Sequence, residues 1–185
     1  MVPIRVRDAT ADDAGAIAAI YRPYVDESAV SFEADAPDAG EVLARMQATP
    51  QLPWLVADSD DGLVGYTYAT MHRQRSAYRW SVDCSVYVKP GEGGRGIGRF
   101  LYSALLPQLR DLGYHQAYAG IALPNPASVG LHEAMGFVSI GVYKNVGYKQ
   151  GVWHDVGWWQ LSLTATGESA GAPREPKPWR SNNGV

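Results

Sequence analysis

The stretch VYVKPGEGGRGIGRFLYSALL, residues 86–106, joins a short apolar run to a cluster of glycines and then to a helix-like pattern. We expect a strand to end at Val88 and a helix to follow the glycines as far as Leu112, with Gly113 as its C-cap. Glycine lets a bound group approach the backbone because no Cβ stands in the way. Backbone N–H groups at the start of a helix form a binding site for an anion. The stretch therefore predicts a strand–loop–helix unit that fits a pyrophosphate, with a plain glycine-rich turn as the alternative.

Two common glycine motifs describe this stretch less well. Residues 91–96 match the G-x-G-x-x-G pattern of dinucleotide-binding folds, which also require an acidic residue at the end of the next strand. That strand, Tyr114–Ile121, carries no acidic residue. A P-loop requires Gly-Lys-Ser/Thr after its glycines, and the chain has Gly98-Arg99-Phe100 there.

The composition limits the class of protein. The chain has 185 residues, of which 46% are hydrophobic, and a formal net charge of −3. This length suffices for one domain with a core, and the charge argues against nucleic acid as the main partner. The single cysteine, Cys84, excludes an intrachain disulfide and favours a reducing cytoplasm. No run approaches the roughly 18 apolar residues of a membrane span, so we expect a cytoplasmic protein with no membrane span.

The order of elements predicts an α/β fold with a mixed sheet. Alternating or apolar runs predict strands at Ile4–Arg7, Trp54–Ala57, Leu63–Met71, Trp80–Val88, Tyr114–Ile121, Phe137–Val142 and Val152–Leu163. Helical spacing predicts helices after the N-cap Thr10, over Pro37–Ala48, and over Ala127–Met135. The early strands favour antiparallel pairing, and the later strand–helix–strand units favour parallel pairing. We expect a domain over residues 1–163 and a flexible tail over residues 164–185, where Gly, Ser, Ala and Pro dominate.

A second motif follows the strand after the glycine loop. It reads NPASVGLHEAMGF over residues 125–137, and together with Val86–Val88 and the glycine loop it resembles the GNAT acetyltransferases. Residues 78–88, YRWSVDCSVYV, and residues 147–160, GYKQGVWHDVGWWQ, resemble more narrowly the phosphinothricin and methionine sulfoximine N-acetyltransferases. The similarity covers nearly all of residues 1–163.

The resemblance implies the GNAT fold, in which antiparallel N-terminal strands and a parallel strand pair splay around acetyl-CoA. It implies that the glycine loop binds the pyrophosphate and that the strand before it pairs with the pantetheine arm. The cofactor-binding residues that it implies are Val86, Tyr87, Val88, Gly94, Arg95, Gly96, Ile97, Gly98, Arg99 and Asn125. The family usually has Gln or Arg where this chain has Gly93, and that departure would weaken CoA binding unless Arg95 compensates.

Asp83 is the first candidate for catalysis. Period-two alternation places it with Ser81, Ser85 and Tyr87 on one face of the strand, opposite a face of core residues. A free amine is largely protonated at neutral pH, so a base must remove its proton before it attacks a thioester. The resemblance implies this role for Asp83, where the family has a glutamate, and the shorter side chain favours transfer through a water. A structural hydrogen bond or ion pair is the alternative.

His132 is the second candidate for catalysis. Many GNAT enzymes have a tyrosine at this helix position that protonates the departing thiolate, and phosphinothricin-type members have a histidine. Histidine can donate or accept a proton near neutrality, so it would assist either the acceptor or the thiol. A structural histidine at the helix–sheet junction is the alternative, and we expect no metal.

The resemblance also implies an acceptor site that holds a carboxylate. Arginine binds carboxylates and phosphinates in a bidentate manner. The expected acceptor-binding residues are Arg73, Gln74, Arg75, Asp83, Cys84 and Ser85, and a solvated basic loop at residues 73–75 is the alternative. Alternation points the Cys84 thiol away from Asp83, so we expect a core residue there and not an acetylated nucleophile.

The C-terminal strands are rich in aromatic residues, namely Tyr148, Trp153, Trp158 and Trp159. Aromatic residues are enriched in protein interfaces, so a homodimer is expected, with simple core packing as the alternative. The expected function is transfer of acetyl from acetyl-CoA to the α-amine of a small amino-acid analogue such as phosphinothricin or methionine sulfoximine. Acetylation of a protein N-terminus or another amine, and a non-catalytic acyl-CoA sensor, are the alternatives.

Overall fold

The computed structural model describes residues 3–164 and 175–179. Its strands are β1 (Arg5–Asp8), β2 (Trp54–Ser59), β3 (Gly62–Met71), β4 (Ser81–Val88), β5 (Gln116–Leu123), β6 (Val138–Lys149) and β7 (Val152–Ser162). Its α-helices are α1 (Ala14–Asp26), α2 (Ala39–Ala48), α3 (Ile97–Leu112) and α4 (Pro126–Ala134). The strands form one sheet in the order β1-β2-β3-β4-β5-β7-β6. Among the described residues, no helix is long and apolar enough to cross a membrane.

Helices cover both faces of the sheet. On one face, α1 and α2 pack against β2 and β3, with Trp54 and Tyr66 in the buried cluster. On the other face, α3 packs its Tyr102 and Leu105 against the central strands of the sheet. The predicted alternation along β4 is confirmed, since Val82 and Cys84 lie in the cluster with α3.

The pairing between β4 and β5 is parallel and short. It joins Ser81 to Gln116, Val82 to Ala117 and Asp83 to Tyr118, and every other neighbouring pair in the sheet is antiparallel. Beyond Asp83, β4 and β5 diverge. The expected arrangement, antiparallel early strands beside a splayed parallel pair, is therefore confirmed.

Capping decides where the first two helices begin. The Thr10 backbone N–H donates to Asp13 Oδ2 at 2.7 Å, which forms a single 3₁₀ turn before α1 starts at Ala14. The expected helix start at Pro37 is two residues early, because the Asp38 side chain accepts from the Glu41 N–H at 2.9 Å and acts as the N-cap of α2.

The strand boundaries lie within two residues of the prediction, except at the end of β6. Trp80 precedes β4 and does not belong to it, and the Arg79 guanidinium lies 3.9 Å from the centre of its ring. β6 continues to Lys149, well beyond the predicted end at Val142. Its register shifts between Tyr143 and Gly147, with a positive φ of 48° at Asn145, so the local pattern no longer alternates regularly.

The described part of the predicted tail contacts the domain. Glu175 accepts two hydrogen bonds from the Arg79 guanidinium, at 2.7 and 2.8 Å. The Lys177 N–H donates to the Leu112 carbonyl at 2.7 Å, and the Trp179 N–H donates to the Gln51 carbonyl at 3.1 Å. Residues 165–174 and 180–185 of that tail lie outside the described residues.

Candidate active site

A cleft opens between β4 and β5 where their pairing stops. It spans about 390 Å³ of empty space, open solvent included. Its walls come from both strands, from the start of α4 and from α3. Ser85, Val86, Tyr87, Asn125 and His132, all predicted as site residues, line it.

The register of β4 decides which backbone groups face this cleft. The Lys89 N–H donates to the Val64 carbonyl at 2.9 Å, so the odd-numbered residues of β4 direct their backbone groups toward β3. Cys84, Val86 and Val88 therefore direct theirs toward the cleft. The Val88 carbonyl accepts a hydrogen bond from the Tyr24 hydroxyl at 2.5 Å. Because the Cys84 N–H belongs to the last β4–β5 pair, the Cys84 carbonyl and both backbone groups of Val86 are the ones that an extended ligand can pair with. The Tyr87 ring packs against Tyr21, Tyr24 and Tyr66, on the side of the sheet that α1 covers.

The glycine loop ends at the N-terminus of α3, beyond β4. Gly94 and Gly96 have left-handed φ values of 78° and 77°, and Gly96 is the N-cap. The first helical hydrogen bond runs from the Phe100 N–H to the Gly96 carbonyl at 3.0 Å. The N–H groups of residues 97–99 therefore have no acceptor within the helix and are oriented for an anion. The Arg95 guanidinium is paired with Glu92 at the outer edge of the loop.

α3 and α4 approach each other closely beside the loop. A Cβ added to Gly98 would lie 2.7 Å from Leu131 Cδ2, so only glycine fits there without a shift. Asn125 is the N-cap of α4, and its side-chain oxygen accepts from the Ser128 N–H at 3.1 Å. Asn125 thus holds the start of α4 at the wall of the cleft.

His132 is buried, and its hydrogen bonds define its tautomer. Nδ1 lies 2.7 Å from the Ser128 carbonyl oxygen, which can only accept, so Nδ1 carries the hydrogen. Nε2 lies 2.9 Å from the Tyr102 hydroxyl and accepts its hydrogen. Burial lowers the pKa of His132, against the opposing effect of the Ser128 carbonyl, and burial raises the pKa of Tyr102 well above its ordinary value. At neutral pH the cleft therefore contains a neutral imidazole bonded to a protonated phenol.

Asp83 forms a pair with a histidine from the neighbouring strand. His72 follows β3 directly, and its Nδ1 lies 2.6 Å from Asp83 Oδ1. The two side chains are 12% and 28% exposed, so both are accessible from one side only. Burial raises the pKa of the Asp83 carboxyl, and the hydrogen bond from His72 and the charge of Arg73 act against that rise.

A second pocket adjoins this pair. It spans about 450 Å³ of empty space, open solvent included, between His72, Arg73, Tyr118, Tyr143 and Trp158. The Arg73 guanidinium lies 5.8 Å from the centre of the Trp158 ring, and the His72 ring stacks on Tyr118 at 4.3 Å. Gly120 permits this arrangement, since a Cβ there would meet the Trp158 ring at 3.3 Å. The pocket combines one cation, aromatic walls and a titratable ring.

The other predicted acceptor residues occupy different places. Gln74 and Arg75 are exposed and follow Arg73 in the turn before β4, outside the residues that line the pocket. Ser85 lines the cleft. The Cys84 thiol is buried against α3, and burial raises its pKa, so it is a poor nucleophile.

A model of the acetyltransferase (GNAT) domain matches residues 6–158. The chain belongs to the GNAT acetyltransferase family. The expected α/β GNAT fold is thereby confirmed.

Relatives of this GNAT chain carry more specific names. It is 44% identical to a phosphinothricin N-acetyltransferase of Alcaligenes faecalis, over 86% of this chain and 81% of the relative. It is 35% identical to an L-methionine sulfoximine/L-methionine sulfone acetyltransferase of Salmonella typhimurium, over 85% and 94% of the two chains. The crystal structure of a phosphinothricin acetyltransferase from Sinorhizobium meliloti in complex with AcCoA aligns with a TM-score of 0.87 at 35% identity, over 93% and 94%.

Two residues at the site of this GNAT domain were not predicted from the sequence. His72 directly precedes the basic loop at residues 73–75, and it lies near Asp83 only because Met71 is opposite Val82 in the hairpin. Tyr102 is one of several α3 residues at the spacing of a buried helix face. Only the packing of α4 shows that its hydroxyl reaches His132. Counting register back from Asp83 could have found His72, whereas no local signal marks Tyr102.

Proposed function

We propose that the chain transfers the acetyl group of acetyl-CoA to the α-amine of a small amino-acid analogue such as phosphinothricin or methionine sulfoximine. The observation that supports this most is the position of the β4–β5 cleft. The glycine loop follows β4 at one end of it, and the pocket of Arg73 and His72 adjoins the last β4–β5 pair at the other.

The cleft suits an acyl-CoA thioester. The N-terminus of α3 at residues 97–99 would bind the pyrophosphate, and Cys84 and Val86 would pair with the pantetheine arm as a neighbouring strand does. Asn125 would support this site indirectly, as the cap that places α4.

The pocket suits a small acid with an amino group. Arg73 would bind the carboxylate, and the Trp158 and Tyr143 rings would cover the carbon chain. The acceptor arrives as an ammonium ion, and a base supported by Asp83 would take one proton before the nitrogen attacks the thioester.

The leaving thiolate needs a proton donor on its own side of the sheet. Tyr102 and His132 line the cleft together with Cys84, on the face of the sheet that packs against α3. Asp83 alternates to the opposite face. We therefore place His132, with the Tyr102 hydroxyl, at the leaving thiol and not at the acceptor.

We also propose how the chain assembles and where in the cell it is located. Large hydrophobic side chains are exposed along β6 and β7, among them Val152 at 53%, Tyr148 at 63% and Trp153 at 61%. A second copy of the chain would cover this surface in a homodimer. Trp159, by contrast, is buried in the core and Trp158 lines the pocket, so neither serves an interface. We place the enzyme in the cytoplasm because its one cysteine is a free thiol.

A thiol-release assay tests the activity. The chain would be incubated with acetyl-CoA and a panel of amino acids, amino-acid analogues and peptides with free N-termini, ranked by kcat/KM. The highest values are expected for small acids of the phosphinothricin class. Preference for peptides would favour protein N-terminal acetylation, and tight CoA binding without turnover would favour a sensor.

A variant of Asp83 tests the base. Asp83→Ala is expected to lower kcat by about 10²–10⁴-fold. Its affinity for CoA should stay near that of the wild type, because Asp83 lies outside the residues that line the cleft. Unchanged kcat in this variant would remove Asp83 from the reaction.

A further inference from the structure

We infer that the imidazole of His72 is the group that takes the proton from the acceptor amine, and that Asp83 acts through it. This inference rests on the proposed function and names the atom that performs its first step.

The hydrogen bond between the two side chains fixes which nitrogen is free. An ionised carboxylate can only accept a hydrogen bond, so the shared hydrogen resides on the ring. His72 Nδ1 therefore donates to Asp83 Oδ1 across 2.6 Å. The lone pair of the neutral ring is then on Nε2, the nitrogen farther from Asp83.

The ring is held in place by its neighbours as well as by Asp83. It stacks on Tyr118 with the ring planes 20° apart, and meets Trp158 edge-on with ring centres 6.2 Å apart. Tyr78 contacts it edge-on from the turn before β4, at 6.0 Å. A base held in one orientation by its neighbours spends little entropy on alignment at the moment of reaction.

Position within the pocket distinguishes His72 from Asp83. His72 and Arg73 both line the 450 Å³ pocket, and the Arg73 guanidinium donates to the His72 carbonyl oxygen at 2.7 Å. Asp83 is on the sheet, one hydrogen bond removed from that pocket. An α-amino acid has its amine and carboxylate on the same carbon. A carboxylate bound by Arg73 would therefore bring the amine to the neighbouring residue, His72.

The proton and bond changes balance without any further reactant. The acceptor ammonium gives one proton to His72 Nε2, and the resulting imidazolium is stabilised by the Asp83 carboxylate. The neutral nitrogen then forms a C–N bond at the thioester carbon as the C–S bond breaks. The second proton of the nitrogen passes through solvent to the thiolate, which becomes the CoA thiol, and His72 returns its proton to solvent.

The charged and titratable groups that face the His72 ring are Asp83 on β4, Tyr118 on β5, Tyr78 in the turn and the neighbouring Arg73. Asp83 is the only carboxylate among these groups. It is therefore the group that can stabilise the imidazolium formed when His72 takes the proton.

Two substitutions at His72 separate a base from a structural residue. His72→Gln keeps an N–H that can donate to Asp83 but has no basic nitrogen, and is expected to lower kcat by about 10²–10⁴-fold. His72→Ala should lose a similar factor and regain at least about tenfold when free imidazole is added, with the gain following the unprotonated imidazole concentration. CoA affinity and thermal unfolding, measured for each variant, check that the fold is intact.

The outcomes divide clearly. Loss of kcat in both variants with rescue by imidazole supports the inference. Full activity in His72→Gln, or a loss in His72→Ala that imidazole does not relieve, overturns it while leaving the acetyltransferase proposal in place. A wild-type chain that binds CoA but acetylates no amine on the panel overturns both.

Discussion

At the scale of single residues, Gly93 stands out because the space around it is open. A Cβ added there would meet no heavy atom within 4 Å, and its φ lies outside the left-handed region, unlike that of Gly94. A longer side chain can therefore enter the loop without strain. The position is one where an arginine could reach a bound pyrophosphate.

We expect Gly93→Arg to tighten CoA binding. One charge-assisted hydrogen bond contributes about 1.5–3 kcal/mol, which is about a ten- to hundredfold decrease in Kd. Titration calorimetry at low salt would measure it. Gly94→Arg is the matched control, because it adds the same charge at a φ of 78° that disfavours any side chain, and it should give no gain. An unchanged Kd for Gly93→Arg would contradict the assignment of the loop.

His132 should make the stability of the fold depend on pH. Burial lowers its pKa below the ordinary value of about 6.5, so between the two values the unfolded chain binds more protons than the folded one. Its contribution to the free energy of unfolding is complete above about pH 6.5 and is lost as the pH falls toward the folded-state pKa. Urea unfolding between pH 5 and 8 would measure this slope, which His132→Gln should reduce. An identical slope in the variant would show that other groups cause it.

The alternation along a single strand correctly predicted which face of the sheet a side chain occupies. Asp83 and Cys84 point to opposite faces of β4, as alternation requires. The same argument should have separated Trp158 from Trp159, which lie on opposite faces of β7. The partnership of Asp83 with His72 was missed because it depends on the register between two strands, which no single segment specifies.

At the scale of elements, the contact between α3 and α4 sets the wall of the cleft. Gly98 lets Leu131 of α4 lie against α3, and α4 carries both Asn125 at its start and His132 within it. A side chain at position 98 would overlap the Leu131 side chain, which would have to move. The expected cost of such overpacking is about 1–3 kcal/mol.

Gly98→Val should therefore lower the free energy of unfolding by about that amount and weaken CoA binding. Adding Leu131→Ala to the same chain should restore part of both losses. Gly130→Val is the control, since the space around Gly130 in α4 is open, and it should stay within about 0.5 kcal/mol of the wild type. Urea unfolding and CoA titration measure both quantities. Equal effects at positions 98 and 130 would show that helix propensity, and not packing, is responsible.

Elements with strong local signals were predicted closely. The unit of β4, glycine loop and α3 combines a strand run, left-handed glycines and a C-cap at Gly113, all of which are local. β6 was predicted too short because its register shift and the positive φ at Asn145 break the alternation that marks a strand. Its length is set by pairing with β7, which is a tertiary effect.

At the scale of the whole molecule, the exposed apolar side of β6 and β7 predicts self-association. Trp153→Asp, at a side chain that is 61% exposed, should convert a dimer to a monomer in sedimentation experiments. A charge at the centre of an apolar interface loses its hydration without gaining a partner. Phe100→Asp on α3, where the side chain is 47% exposed, is the control and should leave the mass unchanged. A wild-type chain that sediments as a monomer at all concentrations would contradict the dimer.

The sheet itself is two half-sheets, β1–β4 and β5–β7–β6, joined through only three residue pairs. Where that seam ends, the amide hydrogen of Val86 has no strand to shield it and should exchange rapidly with heavy water. A ligand that occupies the gap acts as a missing strand and connects the halves. At a hundredfold excess over its Kd it would stabilise the native state by about 2.7 kcal/mol. The free energy of unfolding is therefore expected to be higher in a cell that contains acyl-CoA thioesters than after purification without them.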